Sequence, residues 1–142
     1  MKYLIAVFSM LVSITCLAES EDGPQKDRVG PGKAVIEASK EQGFRLSEKA
    51  LKTLDLNFVS VNGTYITLPR SVLIHFQDFA AVYRLRDGWF RLVEIEPTFR
   101  GEQVSFSSKD LKHGDQLVVH NGSLLRVVEL DVFGPEADAC AD

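Results

Sequence analysis

From Leu56 onward apolar and polar positions recur with a period near two, the spacing of half-buried strands. The clearest instance is residues 80–96, where Ala-Ala-Val-Tyr-Arg-Leu-Arg and Trp-Phe-Arg-Leu-Val-Glu-Ile-Glu flank Asp87-Gly88. A two-residue type I′ turn needs positive φ at both central positions, which Asp and Gly tolerate best. With the turn placed there, Arg86 faces Trp89, Leu85 faces Phe90, Arg84 faces Arg91, Tyr83 faces Leu92 and Val82 faces Val93. Tyr83, Leu85, Phe90 and Leu92 then share one face, which reads as core. Arg84, Arg86, Trp89 and Arg91 share the other. Two arginines directly opposite each other repel, so this face needs solvent, a partner or a nearby acid.

The same logic predicts the remaining elements. Ala34–Glu37 is a short β-like run. Ser47 is a good N-cap for a two-turn helix ending at Leu54, with Leu46 and Leu51 spaced as a hydrophobic staple and Glu48 in the first turn. Phe58–Val61 and Thr64–Leu68 flank Asn62-Gly63, a second type I′ signal, and predict a second hairpin. Pro69 closes that strand or marks an edge. Val72–Phe76, Gln103–Ser107 and Gln116–His120 read as strands, Pro97–Gly101 as a connector and Ser108–Asp115 as a turn-rich loop. Leu124–Val132 is apolar with little alternation, and helix and strand both remain open. The expected fold is mainly β, a small antiparallel β-barrel or sandwich with one short α-helix.

The ends of the chain have a different composition. Lys2, the apolar run Tyr3–Thr15 and small residues before Glu19 predict a secretory signal peptide over residues 1–18. Residues 19–33 read as a disordered linker, 34–133 as the β domain and 134–142 as a disordered acidic tail. Cys16 raises lipoprotein attachment, but Ser13-Ile14-Thr15 is a poor lipobox, so a free periplasmic protein is the favoured expectation, peripheral to the inner membrane at most. Removing residues 1–18 removes Lys2 and no acid, moving the net charge from −4 to −5. That disfavours nucleic acid as a partner.

Candidate chemistry is sparse. His75, His113 and His120 lack zinc-motif spacing and are weak metal candidates; no cofactor motif occurs. Cleavage after Ala18 leaves Cys140 as the single cysteine. No Gly-x-Ser-x-Gly, P-loop or His-Glu-x-x-His is present, so a non-catalytic role is expected. Arg84, Arg86, Trp89 and Arg91 are the candidate protein-binding residues, since Trp and Arg are enriched at binding hot spots.

The order of several stretches resembles a family. Gly43–Leu56 resembles the strand–helix opening of periplasmic adaptor subunits (membrane fusion proteins) of RND-type efflux pumps. Leu68-Pro69-Arg70-Ser71-Val72-Leu73, Ala81-Val82-Tyr83 with the Asp87-Gly88 turn, Leu111–Val119 and Asn121-Gly122-Ser123-Leu124-Leu125 resemble successive motifs of their C-terminal, membrane-proximal β domain. Nothing here corresponds to the lipoyl-like domain or the α-helical hairpin, and Asp110 stands where the family usually has Gly. The resemblance implies an accessory docking on efflux-pump or full-length adaptor components, with cation or heavy-metal efflux as the candidate process. A free-standing periplasmic protein that binds a metal or small ligand is the alternative.

Overall fold

The computed structural model describes residues 24, 27–76 and 78–134. The expected signal peptide, Cys16, most of the expected linker's first half and all of the acidic tail after Gly134, with Cys140, lie outside the described residues.

Among the described residues ten strands and two α-helices follow one another. They are β1 (Val35–Ser39), β2 (Gly43–Leu46), α1 (Glu48–Leu54), β3 (Asn57–Ser60), β4 (Ile66–Pro69), β5 (Ile74–Phe76), β6 (Phe79–Arg86), β7 (Trp89–Ile95), β8 (Thr98–Arg100), β9 (Gln103–Phe106), β10 (Gln116–His120) and α2 (Gly122–Phe133). The larger sheet has the order β1-β2-β7-β6-β10-β3, with β5 sharing the β10 side of β6; the smaller has the order β4-β9-β8. Every pairing between these strands is antiparallel. The sheets stay open rather than closing into a barrel, so of the two expected architectures the sandwich-like one is found.

The larger sheet is the middle layer. One of its faces packs on the smaller sheet, with Ala80, Val82, Val93, Ile95 and Leu117 meeting Leu68, Val104 and Phe106. The opposite face carries Phe44, Tyr83, Phe90 and Val118 under Leu125 and Val132 of α2 and Ala50 and Leu54 of α1. Phe44 and Phe90 stack at 5.9 Å, and Tyr83 meets Phe44 edge-on. Because β6 is covered on both faces, residues 80–84 are all buried instead of alternating.

The Asp87-Gly88 hairpin has the expected register throughout, from Arg86 opposite Trp89 to Val82 opposite Val93. Asp87 and Gly88 have φ of 51° and 82°, as a type I′ turn requires. The helix at Ser47 also forms as expected: the Ser47 side chain accepts from the Ala50 N–H at 3.2 Å.

Four expectations are corrected. The Asn62-Gly63 hairpin does not form: β3 pairs with β10, β4 pairs with β9, and neither Asn62 nor Gly63 has a positive φ. Val61 donates to Asp115 O and accepts from Gly114 N, which holds the chain on the larger sheet before it crosses to the smaller one. The single-helix expectation fails because Leu124–Val132 lies within α2, whose Leu125 and Val132 bury the aromatic cluster. Val72 belongs to a 3₁₀ turn (Arg70–Val72) after Pro69, leaving only Ile74–Phe76 as strand. The connector 97–101 also contains β8, an exposed three-residue edge strand turning at Gly101 (φ 60°) into β9.

Candidate functional site

The basic face of the hairpin projects from the end of the larger sheet, and its residues fall into two cross-sheet rows. The first row has an acid at each end. Glu37 lies opposite Arg45 on β1 and β2, and Arg86 lies opposite Trp89 on β6 and β7. Arg45 donates through Nη1 to Glu37 Oε1 at 2.9 Å, and its guanidinium carbon sits 5.8 Å from the Trp89 ring centre. Arg86 ends the row on Asp115 with two parallel bonds, Nε to Oδ1 and Nη2 to Oδ2, both 2.6 Å. Such a planar two-point pairing is a strong geometry for arginine and carboxylate. Each arginine of this row therefore has an acid, and Trp89 is half-buried beside Arg45.

The second row holds the opposed arginines Arg84 and Arg91. Arg84 is only 7% exposed, and its Nε is buried without a hydrogen-bond partner. Its Nη1 donates to the Asp110 carbonyl at 3.3 Å, and Arg86 Nη2 donates to the same oxygen at 3.1 Å. The two β6 arginines thus stitch the 108–115 loop to the hairpin. Asp110 serves through its backbone carbonyl, which a Gly at that position would also offer. Arg91 is exposed.

Electrostatics follow the geometry. Burial, then Arg86, pushes the Arg84 guanidinium down from the ordinary arginine range. The hydrogen bond to Asp115 raises Arg86. Burial of Asp115, 3% exposed, pushes its carboxyl up, but the bonds from Arg86 and the Lys112 N–H (2.7 Å) outweigh it and hold the acid below its usual value. On the other face of β6, the Tyr83 hydroxyl donates to Glu129 Oε2 of α2 at 2.7 Å, and Arg126 bonds the same oxygen at 2.6 Å. Burial, then Glu129, raises the Tyr83 phenol above its ordinary range.

Of the four candidate docking residues, two are therefore bonded to the chain's own loop, and Trp89 and Arg91 remain on the accessible part of the face. The acid beside this face is Asp115, which is bonded to Arg86 and favours the Arg84 charge, while Arg91 is exposed. Nothing local in the sequence pairs Asp115 with Arg86, although the need for an acid was legible. The histidines do not converge into a larger ligand set: His75 is on β5, His113 in the loop and His120 at the end of β10, all exposed. Among the described residues no three His, Cys, Asp or Glu side chains gather as a metal site.

A second concavity went unseen in the sequence because it depends on α2. It lies between α1, the 32–34 turn and α2, with a volume of about 450 Å³. Its walls include Ala34, Leu46, Ala50, Leu54 and Val128, with Lys33 and Lys49 as the charged lining among the described residues. Among the described residues no helix is long and apolar enough to cross a membrane. No family profile, curated protein or solved structure matches the chain.

Proposed function

We propose that this chain is an exported, non-catalytic accessory that docks on components of a transport assembly, in the manner of the membrane-proximal part of an efflux-pump adaptor. The ordered set of motif resemblances from Gly43 to Leu125 motivates the assignment. The observation that carries the docking surface is the Trp89–Arg91 patch. It presents an aromatic ring and an exposed arginine on a rigid hairpin, and ordering such groups before binding lowers the entropy lost on docking. The neighbouring Arg45–Glu37 pair fixes the cation beside the ring.

The test is affinity capture from envelope extracts with the tagged full chain, expressed with its own leader. Recovery of a pump or adaptor component is expected, and Trp89→Ala with Arg91→Ala should abolish it while the melting temperature stays within a few degrees. Repeated capture without any transport component overturns the proposal. Arg84 is left intact in this variant because its buried guanidinium also holds the 108–115 loop. The alternative, a small-ligand-binding protein, is favoured by one observation, the groove between α1 and α2.

A further inference from the structure

We infer that the groove between α1 and α2 binds a monomeric anionic amphiphile, a single alkyl chain ending in a carboxylate. The inference rests on the groove and is independent of the docking proposal.

The floor is aliphatic. Leu46 ends β2, Ala50 and Leu54 come from α1, and Val128 comes from α2, with Ala34 from the preceding turn. The volume of about 450 Å³ falls within the range of small-molecule sites. The polar groups along the wall are mostly satisfied internally. Ser47 N–H donates to Ala34 O at 2.9 Å, Ser47 Oγ accepts from Ala50 N–H, and Thr53 Oγ1 donates to Lys49 O at 2.9 Å. They therefore offer little to a neutral polar ligand.

Lys33 and Lys49 differ. Both line the groove, and among the described residues no acid lines it with them and neither has a side-chain partner. An apolar trough whose charged lining, among the described residues, is two lysines is complementary to an apolar body with one negative head. A cationic or neutral amphiphile would gain the same burial without the charge pairing. The apolar surface continues past the groove on α2, where Leu124 lies one turn before Val128 and Val127 is 65% exposed. An alkyl chain longer than the groove would have further surface to cover.

The experiment titrates the full chain, expressed with its own leader, with decanoate below its micellar concentration, read by amide chemical shifts. Saturable shifts at Ala34, Ala50, Leu54 and Val128 are expected, with a dissociation constant of roughly 0.1–1 mM. Decanol should bind about tenfold more weakly, and so should decanoate to the Lys33→Gln/Lys49→Gln variant, each exposed charge being worth a few-fold. Decyltrimethylammonium should bind more weakly still. Ala50→Leu, which narrows the groove, should weaken decanoate without touching the lysines.

Equal affinity for decanoate and decanol overturns the inference, as does binding unchanged in the lysine variant. Shifts confined to Leu124, Val127 and Leu130 mean adherence to the open helix face and also overturn it. So does binding to phosphatidylglycerol vesicles with none to monomeric decanoate. Loss of transport-component capture leaves these readouts untouched, so the two proposals fail separately.

Discussion

Asp87-Gly88 and Asn62-Gly63 carry the same turn chemistry between β-forming runs, yet only the first makes a hairpin. Around Asp87-Gly88 the two-residue turn matches Leu85 with Phe90, Tyr83 with Leu92 and Val82 with Val93. Local turn preference and cross-strand packing agree. A two-residue turn at Asn62-Gly63 would instead set Phe58 opposite Thr67 and Asn57 opposite Leu68. The observed partners are better matched: Phe58 with Val118, Val59 with Leu117, Leu68 with Val104 and Ile66 with Phe106. Thr67 meets Ser105, and their hydroxyls lie 2.9 Å apart. Cross-strand pairs contribute up to about 1 kcal/mol each, so several together outweigh one favourable dipeptide. A turn signal decides topology only when the strands it joins are also each other's best partners.

This contrast can be broken from the hairpin side first. Gly43 has φ 95°, and a Cβ there would lie 2.0 Å from Phe90 O, on the strand edge that holds β7. Gly43→Ala should cost about 3 kcal/mol or more in chemical denaturation, through backbone collision and strain together. Asp115→Ala should follow, at about 2 kcal/mol, because it leaves Arg86 without its acid and frees the 108–115 loop.

The pH dependence has the same origin. The Asp115 carboxyl is held below its unfolded value when the chain is folded. Its contribution is present above the unfolded value, near pH 4. As pH falls, the unfolded chain takes up the proton first, and the contribution is lost progressively until the folded carboxyl also titrates. Asp115→Asn should therefore flatten the acid limb of the stability curve below about pH 4, measured by melting temperature against pH.

The sharpest comparison uses the two turn glycines themselves. Gly88→Ala places a Cβ at φ 82°, where the nearest atoms belong to the flexible Arg45 guanidinium. The strain should cost about 1–2 kcal/mol. Gly63 lacks a positive φ, and its nearest neighbour to a Cβ is Tyr65 O at 3.9 Å. Gly63→Ala should change stability by less than about 0.5 kcal/mol, in either direction. Equal costs at both positions would mean that residues 62–63 do adopt the mirror-image turn in solution.

Legibility in the sequence followed the range of the interaction. The hairpin register, the Ser47 cap and the β10 strand were readable because neighbours within a few residues determine them. The 122–133 helix was ambiguous because its buried positions, Leu125 and Val132, answer to an aromatic cluster assembled from β2, β6 and β7. The exposed Leu124, Val127 and Leu130 blur the periodicity that would have marked a single buried face. The three-residue β8 carried no signal, since all its residues are exposed and its pairing depends on β9.

The candidate site divides in the same way. That Arg84, Arg86, Trp89 and Arg91 share one face follows from a two-residue turn and the period of a strand. Which of them stay accessible does not. Asp115 lies twenty-nine positions from Arg86, and only the pairing of β10 with β6 brings them together. The apolar groove likewise exists only where α2 folds back beside α1. The sequence by itself determined the hairpin, its register and the mainly β character, because backbone sterics and alternation act over short distances. Tertiary structure decided strand partners, the committed and accessible arginines, and the groove, because those depend on which distant surfaces bury each other best.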